Sequence, residues 1–141
     1  MDEIFKLGKE VLASQPFSEL VGADLTAFSP GYAELRIPIT DQLKQQHGFV
    51  HGGVISYAAD NALTFAGGSV LGPAVVTSEY KINYLKPAIG SELLAKATVI
   101  YSSRTQAVCR CDLSIVSQGE EILCGAAQGT IARISQDSEN R

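Results

Sequence analysis

The sequence predicts an α+β fold, with one long helix lying on an antiparallel sheet of five or six strands. Three observations carry this. The segment from residue 52 to about 70 is rich in Ala and apolar on nearly all sides, as buried helices are. Four segments with strand character follow it, at 75–85, 92–103, 106–117 and 121–134. The last two breaks, SSRT at 102–105 and QGE at 118–120, are short enough for hairpin turns, so the strands they join are antiparallel neighbours.

The elements follow in order. Ile4, Leu7, Val11 and Leu12 repeat at helical spacing, which predicts a short amphipathic helix over residues 3–14. Pro16 stops it, and PFSELVG supplies another helical turn, giving an N-terminal helical segment over 1–20. Residues 23–28 and 31–39 read as strands joined by a Ser-Pro-Gly turn. In the second, Ala33, Leu35, Ile37 and Ile39 alternate with more polar positions, so one face is buried. Residues 40–51 are polar and loop-like. Gly67, Gly68 and Gly72, followed by Pro73, mark the end of the long helix. The polar tail SQDSENR at 135–141 is expected to fray. With no internal repeat and no linker, residues 1–141 read as a single domain.

Composition excludes several functions. A net charge of -4 and an isoelectric point near 5.1 argue against a nucleic-acid surface, which needs basic clusters. The opening MDEIFKLGKEVL lacks a basic stretch followed by an apolar run, so no secretory signal is expected. No apolar stretch is long enough to span a bilayer. Cys109, Cys111 and Cys124 cannot all pair, which fits reduced thiols in a cytoplasmic protein. Two histidines and no acid cluster do not make a metal site, and no cofactor is expected.

Asp60 is the only formally charged residue between Gln45 and Ser78. Burying an unpaired carboxylate on so apolar a helix costs several kcal/mol, and no Lys or Arg lies near it in sequence. A buried acid of that kind is a candidate general base or nucleophile. The second feature is His51-Gly52-Gly53 at the helix start. The first N–H groups of a helix lack partners and carry the positive end of its dipole. Glycines there admit a ligand close to the backbone, as an oxyanion hole requires. Gly52 and Asp60 are eight residues apart, which is ~12 Å along a helix and too far for one carbonyl to reach both. Two antiparallel copies of the helix would bring Gly52 of one near Asp60 of the other, and the small residues Ala58, Ala59, Ala62 and Ala66 would permit that approach. The chemistry, if present, belongs to a dimer with two shared sites.

HGFVHGGVISYAADNALTFA followed by TSEYKINYLKPAIGSEL resembles the hotdog-fold acyl-CoA thioesterases of the phenylacetate-degradation (PaaI-like) type, over roughly residues 20–134. The resemblance implies a long central helix wrapped by a curved antiparallel sheet. It also implies a homodimer that often pairs into a homotetramer, and hydrolysis of an acyl-CoA to a carboxylic acid and free CoA. By the same resemblance the Gly52 N–H polarises the thioester carbonyl, and Asp60 of the other chain activates water or attacks directly. Thr77 matches a family Ser/Thr that positions the water, with Ser78 the neighbouring alternative. His51 orders the helix start or the loop, Gly53 lies beside it at the substrate, and His47 lines the acyl or thioester pocket. The family usually has Asn six residues before the HGG histidine, where this chain has Gln45, an amide with one more methylene.

CoA phosphates need cations, for which Lys86, Arg104 and Arg110 are candidates. Tyr57, Leu63 and Phe65 are the helix residues expected to shape the acyl pocket. Two rival readings are a hotdog hydratase, which uses an Asp followed by His (no histidine follows Asp60), and a non-catalytic acyl-CoA-binding module, which has no need of the helix acid.

Overall fold

The computed structural model describes residues 2–134, so the tail expected to fray at 135–141 lies outside the described residues. The elements are α1 (Glu3–Ala13), α2 (Pro16–Val21), β1 (Asp24–Ser29), β2 (Tyr32–Pro38), a 3-10 turn at Asp41–Leu43, α3 (Gly52–Leu71), β3 (Val75–Tyr84), β4 (Glu92–Ser102), β5 (Gln106–Ser117) and β6 (Glu120–Arg133). The strand limits agree with the sequence reading to within a residue or two. The strands form one six-stranded sheet in the order β1-β2-β4-β5-β6-β3, every neighbouring pair antiparallel. α3 touches all six strands, so the sheet wraps it.

α3 starts and stops where its local chemistry dictates. The His51 Nδ1 accepts from the Gly53 N–H at 2.8 Å, capping the helix start. At the other end Gly72 adopts φ +104, a conformation glycine reaches without strain, and Pro73 prevents continuation. Ala58, Ala59, Ala62, Leu63 and Ala66 are 0–1% exposed and pack on the inward residues of the sheet, among them Leu35, Leu93 and Leu113. This corrects the expectation that the alanines face a partner helix: they are covered by the chain's own sheet. The face of α3 left partly open carries Gly53, Ser56, Asp60, Asn61 and Thr64 instead.

A second helix also lies on this side. α1 packs against β1, and a Cβ on Gly8 would sit 2.6 Å from Phe28 and 2.7 Å from Leu25, so any larger residue there must displace those side chains. Cys109 and Cys111 lie on the inward face of β5 and, like Cys124, are wholly buried.

Two features of β3 position the site. The pairing with β6 slips by one residue between Thr77 and Glu79, so Ser78 is a β-bulge. Val75 and Thr77 point inward before the bulge, Tyr80 and Ile82 after it, and Ser78 is exposed. β3 is also an edge strand. Among the described residues it pairs only with β6, leaving its outer edge open with Val76 and Tyr84 exposed.

Candidate active site

The polar residues of α3 and β3 gather in two places. The first is midway along α3. The Thr77 hydroxyl donates to the Asp60 Oδ1 at 2.7 Å. The Thr64 hydroxyl, one turn beyond Asp60, donates to the Asp60 backbone carbonyl at 2.7 Å and lies 2.9 Å from the Thr77 Oγ1. With the Thr77 proton on the carboxylate, the Thr64 hydroxyl has one proton to give, either to the Asp60 carbonyl or to the Thr77 oxygen. The bulge at Ser78 makes this arrangement: it keeps Thr77 pointing inward and turns its neighbour out. Of the two hydroxyls the sequence left open, Thr77 is therefore the one on Asp60. Thr64 was not expected from sequence, although a hydroxyl four residues after an acid on a helix is a recognisable neighbour of it.

Asp60 is only half-buried, so the expectation of a buried acid is corrected for the single chain. Its burial was inferred from the apolar residues around it, but those turn toward the sheet while Asp60 lies on the open face. No hydrogen bond among the described residues uses its Oδ2, which leaves that oxygen free to accept a proton from water.

The second place is the start of α3, eight residues earlier and ~12 Å along the axis. The Gly53 N–H is taken up by His51, while no hydrogen bond among the described residues uses the Gly52 N–H. Gly52 therefore presents a free donor at the positive end of a 20-residue helix. The Tyr84 hydroxyl donates to the Gly52 carbonyl at 3.2 Å, holding the end of β3 over the helix start. Beside Gly52 lies a groove of about 380 Å³ lined by Gln45, Phe49, Ile55, Tyr84, Lys86 and Pro87 among others. The loop before α3 is pinned to the rest of the fold by backbone bonds from His51 to Leu43 (2.8 Å) and from Val50 to Ala88 (3.0 Å). The Gln45 side-chain oxygen accepts from the His47 N–H, so it shapes this loop while its side chain borders the groove.

The remaining candidates divide between the two ends. Lys86 is exposed on the rim of the Gly52 groove. Arg104 sits in the β4–β5 hairpin at the opposite end of the sheet. The pairings Ser102–Ala107, Ala107–Ile131 and Ile131–Thr77 put that hairpin at the Thr77 end, while Lys86 follows Tyr84, seven residues further along. One chain therefore does not bring Arg104 and Lys86 together. Arg110 lines a polar cavity with Glu79, Lys81 and Gln128, apart from both clusters. His47 is exposed, its ring 6.3 Å from that of Phe49, and it lines none of the cavities described. It stands at the loop tip of the single chain, and the acyl or thioester pocket expected for it involves a second chain.

Tyr57 and Leu63 also depart from their expected pocket role. Leu63 is fully buried against the sheet. The Tyr57 hydroxyl donates to Ser18, which in turn donates to Gln15 at 2.6 Å, and the Asn61 amide reaches the Tyr57 oxygen at 3.0 Å. This network fastens α2 to α3. Phe65 does line a cavity, one between α1 and α3 that Thr64 and Asn61 also border.

The two places hold complementary equipment. One offers a carboxylate with a free oxygen, oriented by a hydroxyl; the other offers an unpaired N–H at a helix dipole beside a groove. A carbonyl centre under attack by water needs both kinds of group within ~3 Å of its reacting atoms.

The sequence model of the Thioesterase superfamily matches residues 47–122. The chain is 30% identical over 105 residues to the acyl-coenzyme A thioesterase PaaI of Escherichia coli strain K12, covering 74% of this chain and 73% of that protein. Its structure resembles that of a thioesterase family protein from Silicibacter pomeroyi with a TM-score of 0.88 and 31% identity, covering 93% of this chain and 98% of the other. It also resembles a variant of the phenylacetic acid degradation protein PaaI from Thermus thermophilus, with a TM-score of 0.74, 29% identity, and coverage of 85% and 100%.

Proposed function

From the premise that this chain belongs to the thioesterase superfamily, we propose that it hydrolyses an acyl-CoA to a carboxylic acid and free CoA, at two sites shared between the chains of a homodimer. The observation that carries the reading is the separation of Gly52 and Asp60 on one helix. Each has what the other lacks, and a second chain arranged antiparallel supplies the missing half. The open outer edge of β3 offers such a chain a place to pair. A pairing of dimers into a homotetramer fits the same reading.

In the proposed site the thioester carbonyl lies against the Gly52 N–H of one chain, which stabilises the charge gained on its oxygen. Asp60 of the other chain acts through its free Oδ2, either taking a proton from the attacking water or attacking directly. Thr77 holds the carboxylate in orientation, and its oxygen helps position the water. Gln45 does from a different backbone position what the family's Asn does, while His51 and Gly53 set the helix start at the substrate. Lys86 on the groove rim suits a CoA phosphate, and Arg104 would serve from the Asp60 side. No helix of the described residues is long and apolar enough to cross a membrane, and three buried free thiols suit a reducing cytoplasm.

The test is a panel of acyl-CoAs assayed by free-thiol release, with Asp60→Asn beside the wild type. The reading expects turnover of at least one thioester and a kcat lower by ~100-fold or more in the variant, the low end for a general base. Equal turnover in Asp60→Asn would sink the mechanism. CoA binding with no thioester turned over would favour the non-catalytic binding module.

A further inference from the structure

Three side-chain contacts tie β3 along the open face of α3. The Thr77 hydroxyl reaches Asp60 at 2.7 Å, the Tyr84 hydroxyl reaches Gly52 at 3.2 Å, and between them the Tyr80 and Ser56 hydroxyls bond one another. The outer two belong to the two halves of the proposed site, and the middle one to neither. Ser56 lies four residues from Gly52 and four from Asp60, ~6 Å along the axis from each. A hydroxyl has one proton to donate and two lone pairs to accept with. The bond between Ser56 and Tyr80 uses one of the pair's two protons. No other hydrogen bond among the described residues involves either oxygen, so the second proton has no acceptor in the chain. A mid-helix serine can return its proton to the carbonyl one turn back, but that carbonyl, of Gly52, takes the Tyr84 proton instead. Both side chains are only partly buried.

We propose that the Ser56–Tyr80 pair meets the same pair of a second copy on the twofold axis of the homodimer, and that this contact sets the spacing between Gly52 of one chain and Asp60 of the other. The inference rests on the shared-site reading for its antiparallel arrangement. Where residue 52 of one helix stands opposite residue 60 of the next, residue 56 stands opposite itself, because it is midway between them. A twofold contact is self-complementary, each side giving what it receives. The proton that each pair cannot place within its own chain goes to the other pair, which closes a ring of four hydroxyls. A single contact on the axis thereby adjusts both sites at once.

Cysteine cross-linking tests the axis. The three native thiols are buried and free, so the wild type serves as the blank. In Ser56→Cys the two new thiols face each other, and mild oxidation with copper phenanthroline should join most chains into a covalent dimer, since a disulfide needs Cβ atoms within ~4.5 Å. Val70→Cys is the control: Val70 is 39% exposed and lies fourteen residues further along α3, ~21 Å from the level of the axis, so it should not cross-link. No cross-link in Ser56→Cys, or one formed as fast in Val70→Cys, would overturn the proposal. Steady-state kinetics test the spacing. Ser56→Ala and Tyr80→Phe should each lower kcat by ~10-fold or more with little change in KM, because small displacements of reacting groups are costly. Ser56→Thr, which keeps the hydroxyl, should stay near the wild type. Wild-type kcat in both Ser56→Ala and Tyr80→Phe would remove the spacing role. Cross-linking needs no turnover. A cross-link in a chain that hydrolyses no thioester would thus keep the axis contact and remove the hydrolase reading, whereas hydrolysis without a cross-link would do the reverse.

Discussion

The Thr77 hydroxyl and the Asp60 carboxylate meet at 2.7 Å, joining an edge strand to the middle of the buried helix. One hydroxyl thus fixes the rotamer of a half-buried acid while leaving its second oxygen free. Thr77→Val keeps the shape and removes the donor. It should lower kcat by ~10-fold or more with little change in KM, since orientation of the acid matters most in the transition state. Ser78→Ala, at the exposed bulge, should leave both constants near those of the wild type. Steady-state kinetics on the pair decide between them, and equal effects would remove Thr77 from the mechanism.

Gly52→Pro removes the unpaired N–H at the first helical position, where proline is well tolerated. The helix should survive by circular dichroism while kcat falls ~100- to 1,000-fold, as for loss of one oxyanion donor.

The shared site can be tested with the same variants. Gly52→Pro and Asp60→Asn chains, each inactive alone, should recover about a quarter of wild-type activity after subunit exchange, because half the dimers are mixed and each mixed dimer carries one intact site of two. Exchange shown by mass spectrometry without recovered activity would place both groups within one chain's site.

Gly67 faces Ile131, and a Cβ there would sit 2.6 Å from the Ile131 Cβ. Gly67→Ala should therefore destabilise the fold by ~1–3 kcal/mol through overpacking, against a smaller gain in helix propensity. Urea unfolding checks this, with Gly68→Ala as the neighbour expected to be neutral or stabilising.

Burial pushes the Cys109 thiol up to about 11 and the Cys111 thiol up to about 12, from an ordinary 9.0, and raises Cys124 as well. Above pH 9 the unfolded chain releases protons that the folded chain keeps. The stability these thiols contribute is complete below pH 9 and is lost as the pH climbs through 11 to 12, at up to ~1.4 kcal/mol per pH unit for each. The unfolding midpoint in urea should fall steadily from pH 9 upward. At pH 8 a thiol reagent should label the cysteines slowly in the folded chain and quickly in urea.

Much of this was legible before folding. The alternation in 31–39 and the short hairpin breaks place strands because a period of two and a tight turn are local properties. The Ala-rich run ending at Gly72 and Pro73 places α3 in the same way. Asp60 and His51-Gly52-Gly53 stood out because one acid in an apolar stretch and a glycine pair at a helix start are visible without neighbours. Tyr57 and Leu63 depart from the expected acyl pocket because a residue's direction from a helix depends on what packs against it.

The sequence by itself determined the elements, their order and the ~12 Å between Gly52 and Asp60, since chain spacing along a helix is fixed by backbone geometry. Tertiary structure alone decided which hydroxyl reaches Asp60, which way the alanines face, and that α1 closes a cavity over Phe65. These turn on a one-residue slip between β3 and β6 and on the packing of segments far apart in the chain. No local pattern encodes them, because each is set by whichever partner excludes water best.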